Sequence, residues 1–224
     1  MAELFYDEFT DNNSADINGS TPSDAGASWS KVLYSSGSIF CRDISSGRAD
    51  SVSGSATDYW LYTAQITGGT YSDDQEAELN AAAAGSTQFR SLILRWQDAN
   101  NFISVLWNNT ACYSIIWNGG SSTQTTLATG QTFTGTNTYK ATITGTTLQF
   151  LKNGASVYSG SHTVPSSGTP GMGYGKVPGS SLTHATTSAH YYYWFKAYGT
   201  LVAPPVPVGF GLSGGLKGFL GGRL

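Results

Sequence analysis

Charge is scarce in this 224-residue chain, because only 11% of its residues are Asp, Glu, Lys or Arg, against about a quarter in a typical soluble domain. Coiled coils and helical bundles need many charged helix-forming residues, so the composition argues against both. The basic residues also form no cluster, and a stripe of Lys and Arg is what binding to phosphate backbones requires. We therefore expect no nucleic-acid partner.

Cysteine and long apolar runs are also rare. Cys41 and Cys112 are too few for a disulfide framework and have no Cys or His neighbour at a metal-binding spacing, so we expect inert buried thiols. No segment reaches the roughly 18 apolar residues that cross a membrane. The opening MAELFYDEF contains three acidic residues and no apolar stretch, which predicts synthesis in a host cytoplasm without a signal peptide and no membrane insertion.

Aromatic, β-branched and turn-forming residues make up much of what is present. The runs FRSLILRW, FISVLW and CYSIIW are separated by QDANN and NNTA, which predicts a three-strand antiparallel meander. Further on, Asn153-Gly154 lies between two alternating runs and predicts a type I′ hairpin turn. Short strands continue along the body of the chain, so the sequence predicts an all-β fold.

Three regions follow from composition. Residues 1–200 form the strand-rich body, residues 201–208 form a Pro-rich linker, and residues 209–224 form a Gly-rich apolar tail. We expect one domain with an extended C-terminal appendage.

Five segments in this order resemble the concanavalin A-like lectin/glucanase superfamily in its laminin-G-like jelly-roll form. They are the opening FYDEFTDNNS, the hairpin SLILRWQDANNFISVLWN, the hairpin LQFLKNGASVY, the late Gly-rich turn PGMGYG and the closing strand HYYYWFKAYGT. The resemblance covers about residues 4–199. It implies a two-sheet antiparallel jelly-roll sandwich whose closing strand pairs with the first.

Glucanases of this superfamily carry an active strand of the form Glu-x-Asp-x-Glu, and the resemblance places Asp74, Glu76 and Glu78 at that spacing. A retaining glycosidase needs two carboxyl groups about 5 to 5.5 Å apart. Positions i and i+4 of one strand are roughly 13 Å apart along its axis. The simpler hypothesis is that Ala77 and Leu79 point to the core while Glu76 and Glu78 form the solvated face of an amphipathic strand.

Metal binding has one candidate, because calcium prefers several oxygen ligands in a flexible arrangement. Asp7, Asp11 and Asn13 offer such oxygens near the amino terminus, and the alternative is that they are turn and capping residues of an exposed loop. Many relatives carry an Asp before the Asn-Phe of the closing strand, whereas here Tyr193 and Trp194 precede Phe195. A metal site that depends on that carboxylate is therefore not expected, and no other cofactor is predicted.

Glycan binding would use partly exposed rings, because the C–H faces of sugars stack on aromatic side chains while Asn, Asp and Arg bond the hydroxyl groups. Core packing is the alternative for each ring. The candidate residues are Trp60, Tyr62, Trp107 and Trp117 as rings, together with Tyr59 beside them, and Arg95 and Asn101 as polar contacts.

The tail predicts a partner. Its large apolar side chains are spread among seven glycines, which makes ordering it in isolation costly, so we expect a neighbouring subunit to hold it. These side chains are Phe210, Leu212, Leu216, Phe219, Leu220 and Leu224. The sequence hypothesis is a non-enzymatic, multimeric decoration, fibre or appendage protein on a phage virion surface, with host or environmental glycan adhesion as an added function. A polysaccharide-degrading glycoside hydrolase and a free carbohydrate-binding module are the alternatives.

Overall fold

The structure is a computed structural model that describes residues 1–10, 17, 27–34, 41–44, 48–51, 59–67, 69–82, 89–175 and 191–203. The described elements are all strands, and no helix in the described part is long and apolar enough to cross a membrane. In chain order the strands are β1 (Ala2–Asp7), β2 (Ala27–Tyr34), β3 (Cys41–Ile44), β4 (Arg48–Ser51), β5 (Tyr59–Ile66), β6 (Thr70–Tyr71), β7 (Gln75–Ala81), β8 (Arg90–Asp98), β9 (Asn101–Trp107), β10 (Ala111–Asn118), β11 (Ser121–Thr129), β12 (Asn137–Thr144), β13 (Thr147–Lys152), β14 (Ala155–Ser161), β15 (Thr169–Gly175), β16 (Tyr191–Gly199) and β17 (Leu201–Val202).

Two large antiparallel sheets contain nearly all of these strands. Sheet A has the order β14-β13-β12-β7-β16-β4-β3, with β1 also paired to β16, and sheet B has the order β11-β10-β9-β8-β15-β5-β2. A short ribbon of β6 and β17 lies apart from them. The predicted all-β jelly-roll sandwich is confirmed, and the closing strand β16 does pair with the first strand.

The local predictions are confirmed at two places. Strands β8, β9 and β10 form the predicted antiparallel meander. Between β13 and β14, Asn153 has φ 50° and Gly154 has φ 79°, and positive φ at both central residues is the signature of a type I′ turn.

One motif was misread. PGMGYG forms strand β15, between β8 and β5, rather than a turn. A Cβ atom added at Gly171 would lie 2.0 Å from the carbonyl oxygen of Tyr62 on the neighbouring strand. Glycine is therefore required at this position because two backbones approach closely, and not because the chain turns.

Aromatic side chains fill the space between the sheets. The Trp29 ring centroid lies 4.8 Å from that of Phe5 and 5.0 Å from that of Phe195, so β2, β1 and β16 meet in one cluster. The ring of Trp29 also donates from Nε1 to Oδ2 of the buried Asp7 at 2.6 Å. This bond ties sheet B to sheet A at the amino-terminal strand.

A second apolar cluster lies on the outer face of sheet B, which is the face turned away from the sandwich core. Leu61, Ile93, Phe102, Leu106 and Ile115 form its centre, and all are fully buried. Strand β9 is buried on both faces over nearly its whole length, which explains why its sequence is continuously apolar rather than alternating.

Candidate functional site

The acidic strand β7 alternates strictly between core and surface. Gln75, Ala77 and Leu79 are fully buried, while Glu76 and Glu78 point away from the core and are partly exposed. Side chains of a strand alternate between its two faces, so this pattern agrees with the simpler hypothesis of an amphipathic strand. The two glutamates lie on the outer face of sheet A.

The carboxylates of this strand all have partners. Lys140 on β12 places Nζ 2.9 Å from Oε2 of Glu76 and 3.8 Å from Oε2 of Glu78. The hydroxyl group of Tyr198 on β16 donates to Glu78 Oε2 at 3.1 Å. Burial, followed by the nearby Glu78 charge, raises the pKa of Tyr198. This phenol therefore stays a hydrogen-bond donor at neutral pH.

Asp74 has a separate structural role. Its Oδ1 accepts a hydrogen bond from the backbone N–H of Gly145 at 2.8 Å, and Gly145 belongs to the turn between β12 and β13. The chain before β7 is therefore joined to this turn. Asp74 precedes the strand and does not share the ammonium ion that joins the two glutamates.

This arrangement limits the chemistry of the strand. A glycosidase needs two carboxyl groups that face the scissile bond with room for the sugar or a water between them. Glu76 and Glu78 are close together, because one ammonium ion contacts both, but Lys140 occupies the space that they share. The described contacts therefore favour a charge ladder across β7, β12 and β16 over an open acid and nucleophile pair. The sequence did not reveal Lys140 and Tyr198 as partners of the two glutamates, because no local pattern shows that β7 pairs with β12 and β16.

Lysines also lie over the aromatic rings of this face. Lys196 Nζ is 4.4 Å from the ring centroid of Tyr6 and 5.9 Å from that of Trp194, and Lys140 Nζ is 5.1 Å from the ring centroid of Tyr198. A sugar that stacks on one of these ring faces would have to displace an ammonium ion. The outer face of sheet A is therefore a poor candidate for carbohydrate stacking.

Two of the predicted glycan-binding rings are in the core. Trp107 and Tyr62 are fully buried, and the Trp107 ring packs on those of Tyr139 and Phe150, with centroids 4.5 Å and 5.4 Å away. Neither ring has a face that a ligand can reach. The prediction that they form an open sugar platform is wrong, because the core-facing positions of β9 and β5 point between the sheets.

Arg95 is also not a ligand-binding side chain. Its guanidinium group donates to the carbonyl oxygens of Asp73, Pro165 and Gly145 at 2.7, 2.7 and 2.9 Å. The residue is buried, and burial lowers the pKa of Arg95 while the nearby Asp73 and Asp74 charges oppose that change. All three nitrogens are engaged, so the predicted contact with sugar hydroxyl groups is wrong.

Gln75 and Arg95 form one hydrogen-bonded group, the Arg95 node, and the sequence did not indicate that Gln75 belongs to it. Its Oε1 accepts from the backbone N–H of Arg95 at 2.9 Å, and its Nε2 donates to the carbonyl oxygens of Ser72 and Gly168 at 2.9 and 2.6 Å. Arg95 and Gln75 together join β7 and β8 to the segment before β7, the β12–β13 turn and the segment before β15. Partners up to 93 positions away in the sequence leave no local pattern that would reveal such a node.

Asn101 shapes a turn rather than offering its amide group to a ligand. Its Nδ2 donates to both carboxylate oxygens of Asp98 at 3.1 and 3.2 Å, and its Oδ1 accepts from the backbone N–H of Gly119 at 2.9 Å. These bonds hold the β8–β9 turn against the β10–β11 turn. Asn101 is therefore better described as a positioning residue at this end of sheet B.

Among the predicted rings whose side chains the structure describes, Trp117 is the one that remains partly exposed. It projects from the outer face of sheet B, packs on the edge of the apolar cluster there, and pairs with Ser122 on β11 and Phe102 on β9. The adjoining turn residues Asp98 and Asn118 are exposed. A ring bordered by exposed polar groups is the combination that carbohydrate recognition needs.

The remaining predictions concern positions that the structure describes in part or not at all. The side chains of Tyr59 and Trp60, the ligand candidates Asp11 and Asn13, and the tail lie outside the described residues. Both carboxylate oxygens of Asp7 accept protein hydrogen bonds, from Trp29 Nε1 and from the backbone N–H of Phe9 at 2.8 Å. Both oxygens of Asp7 are thus engaged by protein donors, and the described residues include no group of three or more potential metal ligands.

Cys112 lies between the sheets on β10. Burial raises the pKa of Cys112 to about 12, and only the thiolate is a good nucleophile. The side chain therefore behaves as a small apolar residue at neutral pH.

The fold is the concanavalin A-like jelly roll. The Bacillus licheniformis beta-glucanase matches it with a TM-score of 0.59 at 15% identity, over 89% of this chain and 99% of that one. A glycosidic hydrolase matches with a TM-score of 0.57 at 16% identity, over 89% and 97% of the two chains. The carbohydrate recognition domain of Emp46p in its potassium-bound form matches with a TM-score of 0.50 at 10% identity, over 78% and 89%.

At these identities the likeness shows the fold alone. A comparison with protein-family models finds no match, and a comparison with curated sequences finds none either. The same architecture serves hydrolases and carbohydrate-binding domains, so the choice between them rests on the contacts of this chain's own side chains.

Proposed function

We propose that this protein is a non-enzymatic, glycan-binding structural component of a phage particle. The observation that carries the non-enzymatic part is the position of Lys140 between Glu76 and Glu78. An acid catalyst must reach the glycosidic oxygen, and here the two carboxylates of the acidic strand are engaged by an ammonium ion and a tyrosine hydroxyl group. The carboxylates thus stabilise the sheet and perform no bond cleavage.

Glycan binding is assigned to the end of sheet B around Trp117. Its partly exposed ring supplies an apolar face, and Asp98 and Asn118 lie exposed in the two adjoining turns. Asn101 fixes the relative position of these turns through Asp98 and Gly119. A rigid ring beside preorganised polar groups binds with little loss of conformational entropy.

The particle role rests on the composition of the carboxyl-terminal residues. Residues 209–224 combine six large apolar side chains with seven glycines, and such a segment gains little from folding alone. A neighbouring subunit that buries those side chains would hold the sandwich at the surface of the particle. In this proposal the tail attaches the protein and the sandwich faces outward.

The particle role is tested by removing residues 204–224, a cut that keeps β17 and its pairing with β6. The shortened chain should fold with the same thermal midpoint and fail to join particles. Its incorporation at the level of the full chain would contradict the attachment role.

A glycoside hydrolase is the second candidate, favoured by the closeness of Glu76 and Glu78 on one strand face. Screening the full chain on a polysaccharide panel, for both binding and product release, distinguishes the hydrolase from the non-enzymatic binding protein. Our proposal expects a binding signal without reducing-end release. Release by the parent that Glu76→Gln and Glu78→Gln both abolish would establish the hydrolase instead.

A further inference from the structure

Strand β11 is an edge strand of sheet B among the described strands. It pairs with β10 from Ser121 to Thr129, and in the described part of the chain no strand lies on its other side. Most of its residues are exposed, whereas Leu127 is buried in the core and anchors the strand. Alternate residues of an antiparallel edge strand direct their N–H and C=O groups outward.

The composition of β11 lacks the usual protection of such an edge. Its sequence SSTQTTLAT contains no charged residue, no proline and no glycine. Five of its nine residues are threonine or leucine, and β-branched threonine is a residue type that suits a sheet. Natural edge strands avoid pairing with other chains by carrying lysines, prolines or inward-pointing charges. Strand β11 carries none of these three, and its pairing with β10 has one register shift, next to Leu127. Residues 121–126 therefore form a regular uncharged edge that no described strand covers.

The two sides of the sandwich differ in the charge of their edge strands. The edge of sheet A that lies beside β11 is β14, and its sequence ASVYSGS is also uncharged. At the opposite side, β2 contains Lys31, and the short strands β3 and β4 have the charged sequences CRDI and RADS. The edge region on one side of the molecule therefore contains charged residues, whereas the two edge strands on the other side, β11 and β14, contain none.

We propose that β11 pairs antiparallel with β11 of a second copy of this chain, so that sheet B continues across a two-fold axis. A second copy fits because a two-fold contact uses the same strand from both partners, and because an uncharged strand meets no like charge in any register. Threonine side chains would face threonine and serine across the axis, and such cross-strand pairs are favourable. This inference is independent of glycan binding.

The test is the oligomeric state of the full chain, measured by light scattering after size-exclusion chromatography. The double variant Thr123→Lys/Thr126→Lys places lysines at two exposed positions of the edge. The parent should be a dimer, and the lysine variant should be a monomer at the same concentration, with at least about a tenfold higher dissociation constant. A mixture of this variant with Thr123→Glu/Thr126→Glu should restore a mixed dimer.

The matched control is Thr146→Lys/Gln149→Lys, which adds the same charge at exposed positions in the β12–β13 turn and on β13, which is not an edge strand. It should remain a dimer. Hydrogen exchange provides a second measurement, because the outward amides of β11 should be protected in the parent and exchange rapidly in the lysine variant. A monomeric parent, a lysine variant that dimerises as tightly as the parent, or equal dissociation of the control would each overturn the proposal.

Discussion

The outer face of sheet A carries charged side chains that remain partly exposed, whereas the outer face of sheet B carries apolar side chains that are buried. Strand β7 shows the first pattern, with Glu76 and Glu78 alternating with core residues. Strands β8 and β9 show the second, since both of their faces are buried over most of their length. The difference shows that one fold can build a solvated sheet face from an alternating sequence pattern, and strands buried on both faces from a continuous apolar one.

The largest expected effect lies in the core between the two sheets. Replacing Trp107 with alanine removes a fully buried ring that packs on Tyr139 and Phe150, so the free energy of unfolding should fall by about 3–5 kcal/mol. Chemical denaturation measures this change. Trp117→Ala is the matched control and should cost no more than about 2 kcal/mol, because its ring is only partly buried. Equal losses for the two variants would show that the core assignment of Trp107 is wrong.

The Arg95 node gives the next effect. Arg95→Met leaves three backbone carbonyl groups without their donors, and the expected loss in the free energy of unfolding is about 2–4 kcal/mol. Hydrogen exchange should also accelerate in the turn that contains Gly145. Gln97→Met, which changes an exposed side chain near the end of the same strand, should change stability by less than about 0.5 kcal/mol. If Arg95→Met were as mild as this control, the guanidinium group would not hold the loops together.

Breaking the charge ladder on sheet A should change the stability of the protein only slightly. Lys140→Met removes the ammonium ion between Glu76 and Glu78, but the side chains concerned are 17–29% exposed, and pairs open to solvent contribute about 0–1 kcal/mol. We expect a change in that range that shrinks as salt is added. A loss of about 3 kcal/mol or more would show that this face is enclosed like the outer face of sheet B, and would remove the contrast between the sheets.

The smallest effect is a pH dependence at the end of β14. Burial lowers the pKa of His162 below its usual 6.5, and its Nε2 lies 2.9 Å from the Tyr158 hydroxyl group. The unfolded chain therefore binds a proton at a higher pH than the folded chain does, so stability should be lost as pH falls through 6.5 towards the folded pKa. Thermal melts of the parent and His162→Gln between neutral and mildly acidic pH measure this. An identical slope in both would contradict the assignment.

Local sequence patterns predicted the elements whose determinants are local. The alternation around Ala77 and Leu79, the three-strand meander and the turn at Asn153 each depend on residues next to one another, and the structure contains all three. The strand β15 was misread as a turn because its glycine serves a neighbouring backbone, and only the assembled sheet brings that backbone close.

The candidate site was predicted less well for the same reason. Trp107, Tyr62 and Arg95 have the residue types that bind sugars, but the register of the strands directs the two rings into the core, and distant carbonyl groups occupy the guanidinium. Residue type gives the chemistry that a side chain offers. Exposure, which decides whether a ligand can use it, depends on contacts between segments that are far apart in the sequence.

Glycan affinity at the end of sheet B tests the account most directly. A glycan array should first identify ligands of the full chain, and titration calorimetry should then compare the parent with Trp117→Ala and with Gln149→Ala, an exposed position on sheet A. We predict at least about a tenfold loss of affinity for Trp117→Ala, equivalent to about 1.4 kcal/mol, and none for Gln149→Ala. An array without ligands, or an affinity that Trp117→Ala leaves unchanged, would contradict glycan binding at this site.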